Sequence, residues 1–322
     1  MKGQTPIAVA SRSFSHHPVL REELLARYPQ VVFNEAGETL SEKKLIRFLE
    51  GCEKAITGLE VLDEGIFSSL PKLKVVSKYG VGLDMIDLNA MEKHGILLGW
   101  TGGVNKRSVA ELVLSSMMAL LHRVPEANIE MRSGLWRQIR GRQLTGKTIG
   151  IIGCGNIGKD LVTLLKSFAC EVLVNDILDY LEFYKEHEVS VVGLEELLRR
   201  ADVVTLHVPL NNSTKNMLDA RRLDMMKTGA CLINMARGGL VDELKLKEML
   251  ERGKLSGAAL DVFNNEPPND MGLLCLPNVI VTPHIGGSTE EAVMAMGRAA
   301  IDGLDSAGEV SKVVPFYLRI SA

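Results

Sequence analysis

Three side chains in this sequence could between them move a proton and grip a carboxylate. Arg237 lies in Asn234-Met-Ala-Arg-Gly-Gly239, Glu266 in Asp261-Val-Phe-Asn-Asn-Glu-Pro-Pro268, and His284 in Thr282-Pro-His-Ile-Gly-Gly287. Interconversion of a hydroxy and a keto carbon needs a proton donor or acceptor at the oxygen. It also needs a cation for the substrate's carboxylate or carbonyl, and a neighbour that tunes the base. A guanidinium offers a planar fork that matches a carboxylate. A carboxylate beside an imidazole favours the charged ring, which loads the donor for keto-acid reduction, whereas oxidation needs the neutral ring. Taken singly, each has a plainer reading: Arg237 can cap backbone carbonyls, and Glu266, ahead of two prolines, can be a solvated loop residue. His207 ends another apolar run and competes with His284. The other histidines (His16, His17, His94, His122 and His187) read as loop, helix-end or surface residues without ligand partners, so no metal is expected.

A second chemical signal lies upstream. Gly153-Cys154-Gly155-Asn156-Ile157-Gly158 is a G-x-G-x-x-G turn placed between Thr148-Ile-Gly-Ile-Ile152, which reads as a buried strand, and Lys159-Asp-Leu-Val-Thr-Leu-Leu-Lys166, which reads as a helix. In that setting Gly153 allows the tight turn, Gly155 lets backbone approach a pyrophosphate, and Gly158 lets helix and strand pack closely. The helix N-terminal N–H groups then face the phosphate. Asp176 follows Gly158 by 18 residues, at the end of the next apolar run, where a carboxylate accepts hydrogen bonds from ribose hydroxyls. It would repel a 2′-phosphate, and Ile177, Leu178 and Asp179 supply no cation, so NAD is favoured over NADP. The same pattern also suits a strand–turn–helix that binds nothing. Cys154, next to the turn, reads as a small hydrophobe rather than a redox sensor.

These residues need elements to hold them. The first hundred residues alternate short strands (7–10, 31–33, 55–57, 73–77 and 96–98) with helical stretches, a rhythm that predicts a small parallel sheet. Asp87 caps a short helix through Lys93, and Gly95 ends it in the left-handed conformation. Lys106 to Arg123 is a long helical run with Ser108-Val-Ala-Glu111 as a capping box and apolar positions around the axis, so burial on most sides is expected. Its place between two β/α regions predicts a homodimer interface through residues 106–146. A second series follows with strands at 148–152, 172–175, 203–206, 231–234, 258–260 and 279–282, which suits a doubly wound sheet. Ser288-Thr-Glu-Glu291 offers a capping box to a final helix through about Asp305 that carries the chain back. Arg237, Glu266 and His284 all fall at strand C-terminal ends, the edge where open α/β sheets bind ligands, so residues 29 and 18 apart can converge.

Composition agrees with this organisation. The 322 residues suggest two domains at roughly 100 to 200 residues each. Hydrophobic residues are 46% and charged residues 24%, which excludes a disordered chain. The net charge, 37 − 40 = −3, provides no field to concentrate nucleic acid or anionic lipid. Five scattered cysteines without C-x-x-C spacing suggest free thiols in a reducing compartment, so the cytoplasm is expected. The five-residue apolar start at 6–10 is too short for a signal peptide, and the richest apolar stretch, 112–121, falls well short of the roughly 20 residues of a membrane span.

The strings Gly-Leu-Trp136, Leu144-Thr-Gly-Lys-Thr-Ile-Gly-Ile-Ile-Gly153, His207-Val-Pro-Leu210, Ala236-Arg-Gly-Gly-Leu-Val-Asp-Glu243, Ala259-Leu-Asp-Val-Phe263 and Pro283-His-Ile-Gly-Gly-Ser-Thr289 resemble, in order and spacing, the D-isomer-specific 2-hydroxyacid dehydrogenases. The resemblance runs from about residue 40 nearly to the end. It implies two doubly wound parallel-sheet domains, with a Rossmann nucleotide domain (102–286) inserted in a flavodoxin-like substrate domain (1–101 and 287–322). About 150 residues with their own β/α pattern precede the glycine turn, which fits that insertion and not a simple lactate or malate type. By position it also implies that Arg237 binds and polarises the substrate, His284 is the acid/base and Glu266 its partner. Asp261, His207, Pro209, Ala236 and Gly286 would contact the cofactor, and Lys78-Tyr79-Gly80-Val81-Gly82 would form a substrate loop whose N–H groups hold a carboxylate.

Within the family the strings resemble the phosphoglycerate-dehydrogenase-like branch most. Against that substrate, no regulatory domain is expected after residue 305, and Thr57-Gly-Leu-Glu60 carries an acid where a phosphate would want a cation. Glu-Pro at 266 disfavours the formate-dehydrogenase branch. Phosphite, glyoxylate, hydroxypyruvate and sugar-acid chemistry stay open. So does a different class, an NAD(H)-responsive binding protein resembling the transcriptional corepressors that retain the same three residues.

Overall fold

The computed structural model describes residues 6–319; the ends of the expected first domain, 1–5 and 320–322, lie outside them. The chain divides into two compact units, one running to Asn105 and resuming at Glu290, the other spanning Lys106–Thr289.

The first unit contains a five-stranded, wholly parallel sheet of β1 (Ile7–Val9), β2 (Val31–Phe33), β3 (Lys54–Thr57), β4 (Val75–Lys78) and β5 (Leu97–Gly99), in the order β2-β1-β3-β4-β5. This is the flavodoxin-like order. Successive strand residues feed two cores on opposite faces: Ala8, Ala10, Ala55 and Val76 on one, Ile7, Val9, Phe33 and Ile56 on the other. Burial on both faces is why these strands read as continuous apolar runs rather than alternating ones. The short helix Leu88–Lys93 is capped as expected, with Asp87 Oδ1 accepting from Ala90 N at 2.9 Å, and Gly95 has φ +67°. The helix Glu290–Ser306 returns to this sheet. A Cβ on Gly303 would lie 2.3 Å from Ser77 Oγ and one on Gly99 2.4 Å from Gly303 O, so two glycines permit the close approach that Ser77 Oγ then fastens by donating to Ala300 O at 2.6 Å.

The second unit has seven parallel strands: β6 (Thr148–Ile152), β7 (Glu171–Asn175), β8 (Ser190–Val191), β9 (Val203–Leu206), β10 (Ala230–Asn234), β11 (Leu255–Leu260) and β12 (Val279–Val281). Their order is β12-β11-β10-β9-β6-β7-β8. Read from β8, this is the 3-2-1-4-5-6 order of a Rossmann sheet with one strand added, and its crevice opens where β6 and β9 lie side by side. One more strand is present than expected: β8 is two exposed residues long and left no apolar run to find.

Several local expectations are corrected. The long helix spans Lys106–Leu121 and stops short of Arg123, which sits at φ +57° ahead of a separate helix, Val124–Arg132. Because it starts at Lys106, Ser108 lies inside its first turn and forms no capping box with Glu111. The burial of this helix on most sides is as expected: Val109, Ala110, Val113, Met117, Leu120 and Leu121 are buried, Leu112, Leu114 and Met118 pack partly buried against the same core, and Glu111 and Ser115 are exposed. Among the described residues no helix is long and apolar enough to cross a membrane.

Candidate active site

The glycine turn follows β6. Gly153 has φ +92°, and a Cβ there would lie 2.7 Å from the His207 carbonyl, so the turn is pressed against the end of β9. A Cβ on Gly158 would meet Gly153 O at 2.4 Å. Gly155, by contrast, has nothing within 4 Å of where its Cβ would be. Protein crowds the first and third glycines and leaves the middle one facing open space, as a turn that admits a phosphate requires. The helix Asn156–Leu165 starts there, with Gly155 as an N-cap that has no side chain to offer its first N–H groups. Asp176 closes the turn from β7: Oδ2 accepts from Cys154 N at 2.5 Å and Oδ1 from Leu178 N at 2.8 Å, leaving each oxygen a further lone pair. Burial first, then the Asp176 charge, push the Cys154 thiol up to about 12, so it carries no thiolate near neutral pH.

His207 lies at the end of β9, with Nε2 3.1 Å from Thr205 Oγ1 and a buried Nδ1 that has no partner among the described residues. Burial lowers its pKa to about 3. A ring held neutral across the working pH range is a poor proton shuttle but a ready hydrogen-bond partner, which separates it from His284. The orphaned nitrogen beside the glycine turn, the open space at Gly155 and the spare lone pairs of Asp176 together suit a dinucleotide.

The other three residues come from the adjacent strand ends. Asn234, the last residue of β10 and buried, shapes the Arg237 turn: its Nδ2 donates to Arg237 O at 2.8 Å and its Oδ1 accepts from Ala236 N at 3.1 Å. This turn sits directly on the next loop. A Cβ on Gly238 would lie 1.9 Å from Phe263 O, and Gly239 N donates to Asn264 Oδ1 at 2.6 Å. Asn264 N in turn donates to Glu243 Oε1 at 2.7 Å, and burial raises the pKa of Glu243. The Arg237 and Glu266 loops are therefore cross-linked.

Glu266 Oε1 accepts from Phe263 N at 3.2 Å and Oε2 lies 2.9 Å from His284 Nδ1. A carboxylate accepts, so the Nδ1 proton is fixed and Nε2 is the atom left for exchange. The two side chains stay 39% and 50% exposed, open to a substrate. Beneath them Asp261, fully buried, accepts from Thr282 Oγ1 at 2.5 Å and from Ile285 N and Gly286 N, each at 2.7 Å.

The predicted substrate loop belongs to the other unit. Lys78 is buried, its Nζ donating to Gly58 O at 2.5 Å and Tyr79 O at 3.3 Å, while Glu60 Oε2, also buried, accepts from Gly58 N at 2.6 Å. Tyr79 N is given to Thr57 O at 2.8 Å, and the N–H groups of Gly80, Val81 and Gly82 have no backbone partner among the described residues. Gly80 has φ +117°, and Trp100 Nε1 braces the turn by donating to Val81 O at 3.0 Å. Sequence reasoning passed over Asn234, Asn264 and Glu243. Only Asn234 carried a signal, a polar residue closing an apolar strand.

Comparison with known proteins gives a concordant picture. Residues 114–286, more than half the chain, match the family model described as D-isomer specific 2-hydroxyacid dehydrogenase, NAD binding domain. The D-3-phosphoglycerate dehydrogenase of Methanocaldococcus jannaschii is 37% identical over 283 residues, covering 86% of this chain and 54% of that one. The glyoxylate reductase of Korarchaeum cryptofilum is 36% identical over 272 residues, covering 82% of each. Among solved structures, D-lactate dehydrogenase from Aquifex aeolicus, complexed with NAD and lactic acid, superposes with a TM-score of 0.82 at 28% identity, covering 96% of both chains. The chain spans about half the length of the phosphoglycerate dehydrogenases it matches.

Proposed function

This chain belongs to the D-isomer-specific 2-hydroxyacid dehydrogenase family, and from that premise we propose that it is an NAD-dependent oxidoreductase. It interconverts a small D-2-hydroxy acid and the matching 2-keto acid. When bound, the nicotinamide supplies or accepts the hydride. Gly153, Gly155, Gly158, Asn156 and Ile157 would hold the pyrophosphate and Asp176 the ribose hydroxyls. His207, Pro209, Ala236, Asp261 and Gly286 would lie toward the nicotinamide. In the direction of reduction, Arg237 grips the carboxylate and polarises the carbonyl, and His284 delivers the Nε2 proton to the carbonyl oxygen. Glu266, 2.9 Å from Nδ1, holds the ring in the required tautomer. In oxidation the same ring takes the hydroxyl proton. Residues 78–82, in the unit that carries the five-stranded sheet, would form a substrate loop, and that unit would be the substrate domain.

The observation that carries this reading is the 2.9 Å Glu266–His284 contact, with the Glu266 loop cross-linked to that of Arg237. It is tested by steady-state NADH oxidation over a panel of 2-keto acids that includes glyoxylate, hydroxypyruvate and phosphohydroxypyruvate, with phosphite assayed in the oxidative direction. Turnover supports the enzyme; tight NADH binding with negligible turnover on every compound supports an NAD(H)-responsive binding protein. Glu60, a buried acid after β3, favours unphosphorylated substrates.

A homodimer fits the same reading. Val124, Ile129, Met131 and Leu135 are about half exposed and Trp136 is 80% exposed, an apolar cluster on the 124–132 helix and the segment after it. Sedimentation should show a dimer, and Trp136→Glu should weaken it. All five cysteines are free thiols, which suits the proposed cytoplasmic setting.

A further inference from the structure

His284, like Arg237 and Glu266, stands outside regular structure. β12 ends at Val281, and the chain leaves the unit after Thr289, so neither strand nor helix runs through His284. It also holds φ +55°, a conformation that a residue with a side chain keeps only when its surroundings over-determine it.

Two side chains grip the peptides that follow. Asp261 takes the N–H groups of Ile285 and Gly286 from the sheet side. From the helix side, Ser108, buried in the first turn of the 106–121 helix, donates its Oγ proton to the Gly286 carbonyl at 2.6 Å. There is little slack around that peptide: a Cβ on Gly286 would lie 3.1 Å from Asp261 Oδ2 and 3.5 Å from a Val109 methyl. The Gly286 residue is thus clamped at its N–H by Asp261 and at its C=O by Ser108.

We propose that Ser108 is a positioning residue for the acid–base histidine. By fixing the Gly286 carbonyl it sets the left-handed turn at His284, which brings Nδ1 onto Glu266 and leaves Nε2 for the substrate oxygen. The inference rests on the function proposed above for its kinetic consequence, but its structural claim can be read without a substrate.

The test compares Ser108→Ala with Ser108→Thr. Alanine favours a helix at least as well as serine, so the first variant should fold, which thermal melting checks. Ser108→Ala should lower kcat for keto-acid reduction about tenfold, since small misplacements of a reacting group carry penalties of that order or more. It should also weaken the ¹⁵N signature of a His284 Nδ1 proton shared with Glu266. Ser108→Thr, which keeps the hydroxyl, should restore both. A Ser108→Ala protein with wild-type kcat and a wild-type His284 signal overturns the proposal, and so does a Ser108→Thr protein as impaired as Ser108→Ala, because packing and not the hydroxyl would then be at work. Should the wild type turn over no keto acid at all, the dehydrogenase reading fails, while the ¹⁵N comparison still decides whether Ser108 positions the ring.

Discussion

The glycine turn after β6 and the acid–base cluster after β10, β11 and β12 stand on the same edge of one parallel sheet, yet they are built in opposite ways. The turn is shaped by what is absent: Gly153 and Gly158 have backbone 2.7 and 2.4 Å from where a Cβ would be, and Gly155 leaves space that protein does not fill. The cluster is shaped by what is present, an imidazole and two carboxylates joined by hydrogen bonds of 2.5–2.9 Å around Glu266, His284 and Asp261, beside the separate loop that carries Arg237. A site made from bare backbone should therefore fail when atoms are added, and a site made from side chains when atoms are removed. The first failure should appear in cofactor binding and the second in turnover.

The strongest way to break that contrast is His284→Ala. It should lower turnover by roughly 10²-fold or more while leaving NADH affinity nearly intact, as measured by steady-state kinetics alongside fluorescence titration; near-normal turnover would refute the assignment. Two glycine variants separate crowding from ligand space. Gly158→Ala should cost roughly 1–3 kcal/mol of stability through overpacking and lose NADH affinity with it. Gly155→Ala should cost about 1 kcal/mol at most, at a helix N-cap, yet still weaken NADH binding about tenfold. Unchanged NADH affinity in Gly155→Ala would show that the open space at Gly155 has no bearing on the ligand. Asp176→Ala should weaken NADH by about tenfold, the loss of roughly one charge-assisted hydrogen bond, and narrow the preference over NADPH. Unchanged selectivity would remove Asp176 from the ribose site.

The smallest effect expected is one of pH. Burial lowers His207 from its ordinary 6.5 to about 3 in the folded chain, so between those values the unfolded state binds the extra proton and stability rises with pH. This contribution is complete above about 6.5 and is lost as pH falls toward 3. His207→Asn should accordingly shrink the fall in Tm between neutral and acidic buffer, measured by differential scanning fluorimetry. An unaltered acid limb would mean that the ring is solvated after all.

Much of this was legible in the chain, and the reason differs by feature. β6 and β9 fall at the expected residues because a doubly buried parallel strand writes itself as a continuous apolar run, whereas two-residue, exposed β8 writes nothing. Asp87 and Gly95 were recognisable because a cap and a left-handed stop are local chemistry. Ser108 was misread as a cap for the same reason: Ser-x-x-Glu is a local pattern, while its actual partner, Gly286, lies 178 residues away. Lys78 shows a related limit. Its charge was visible, but not that it would be buried on the Gly58 carbonyl.

By itself, then, the sequence determined the alternation of elements, the places where the backbone needed glycine, and the three side chains capable of acid–base and carboxylate chemistry, because each depends on residues within a turn or two of one another. Only the tertiary structure decided that Glu266 and His284 meet at 2.9 Å, that Asn264 ties the Glu266 loop to that of Arg237, and that Asp261 and Ser108 clamp Gly286 from opposite sides. Those contacts depend on strand order and on rotamers packed against distant neighbours, quantities that no stretch of adjacent residues encodes.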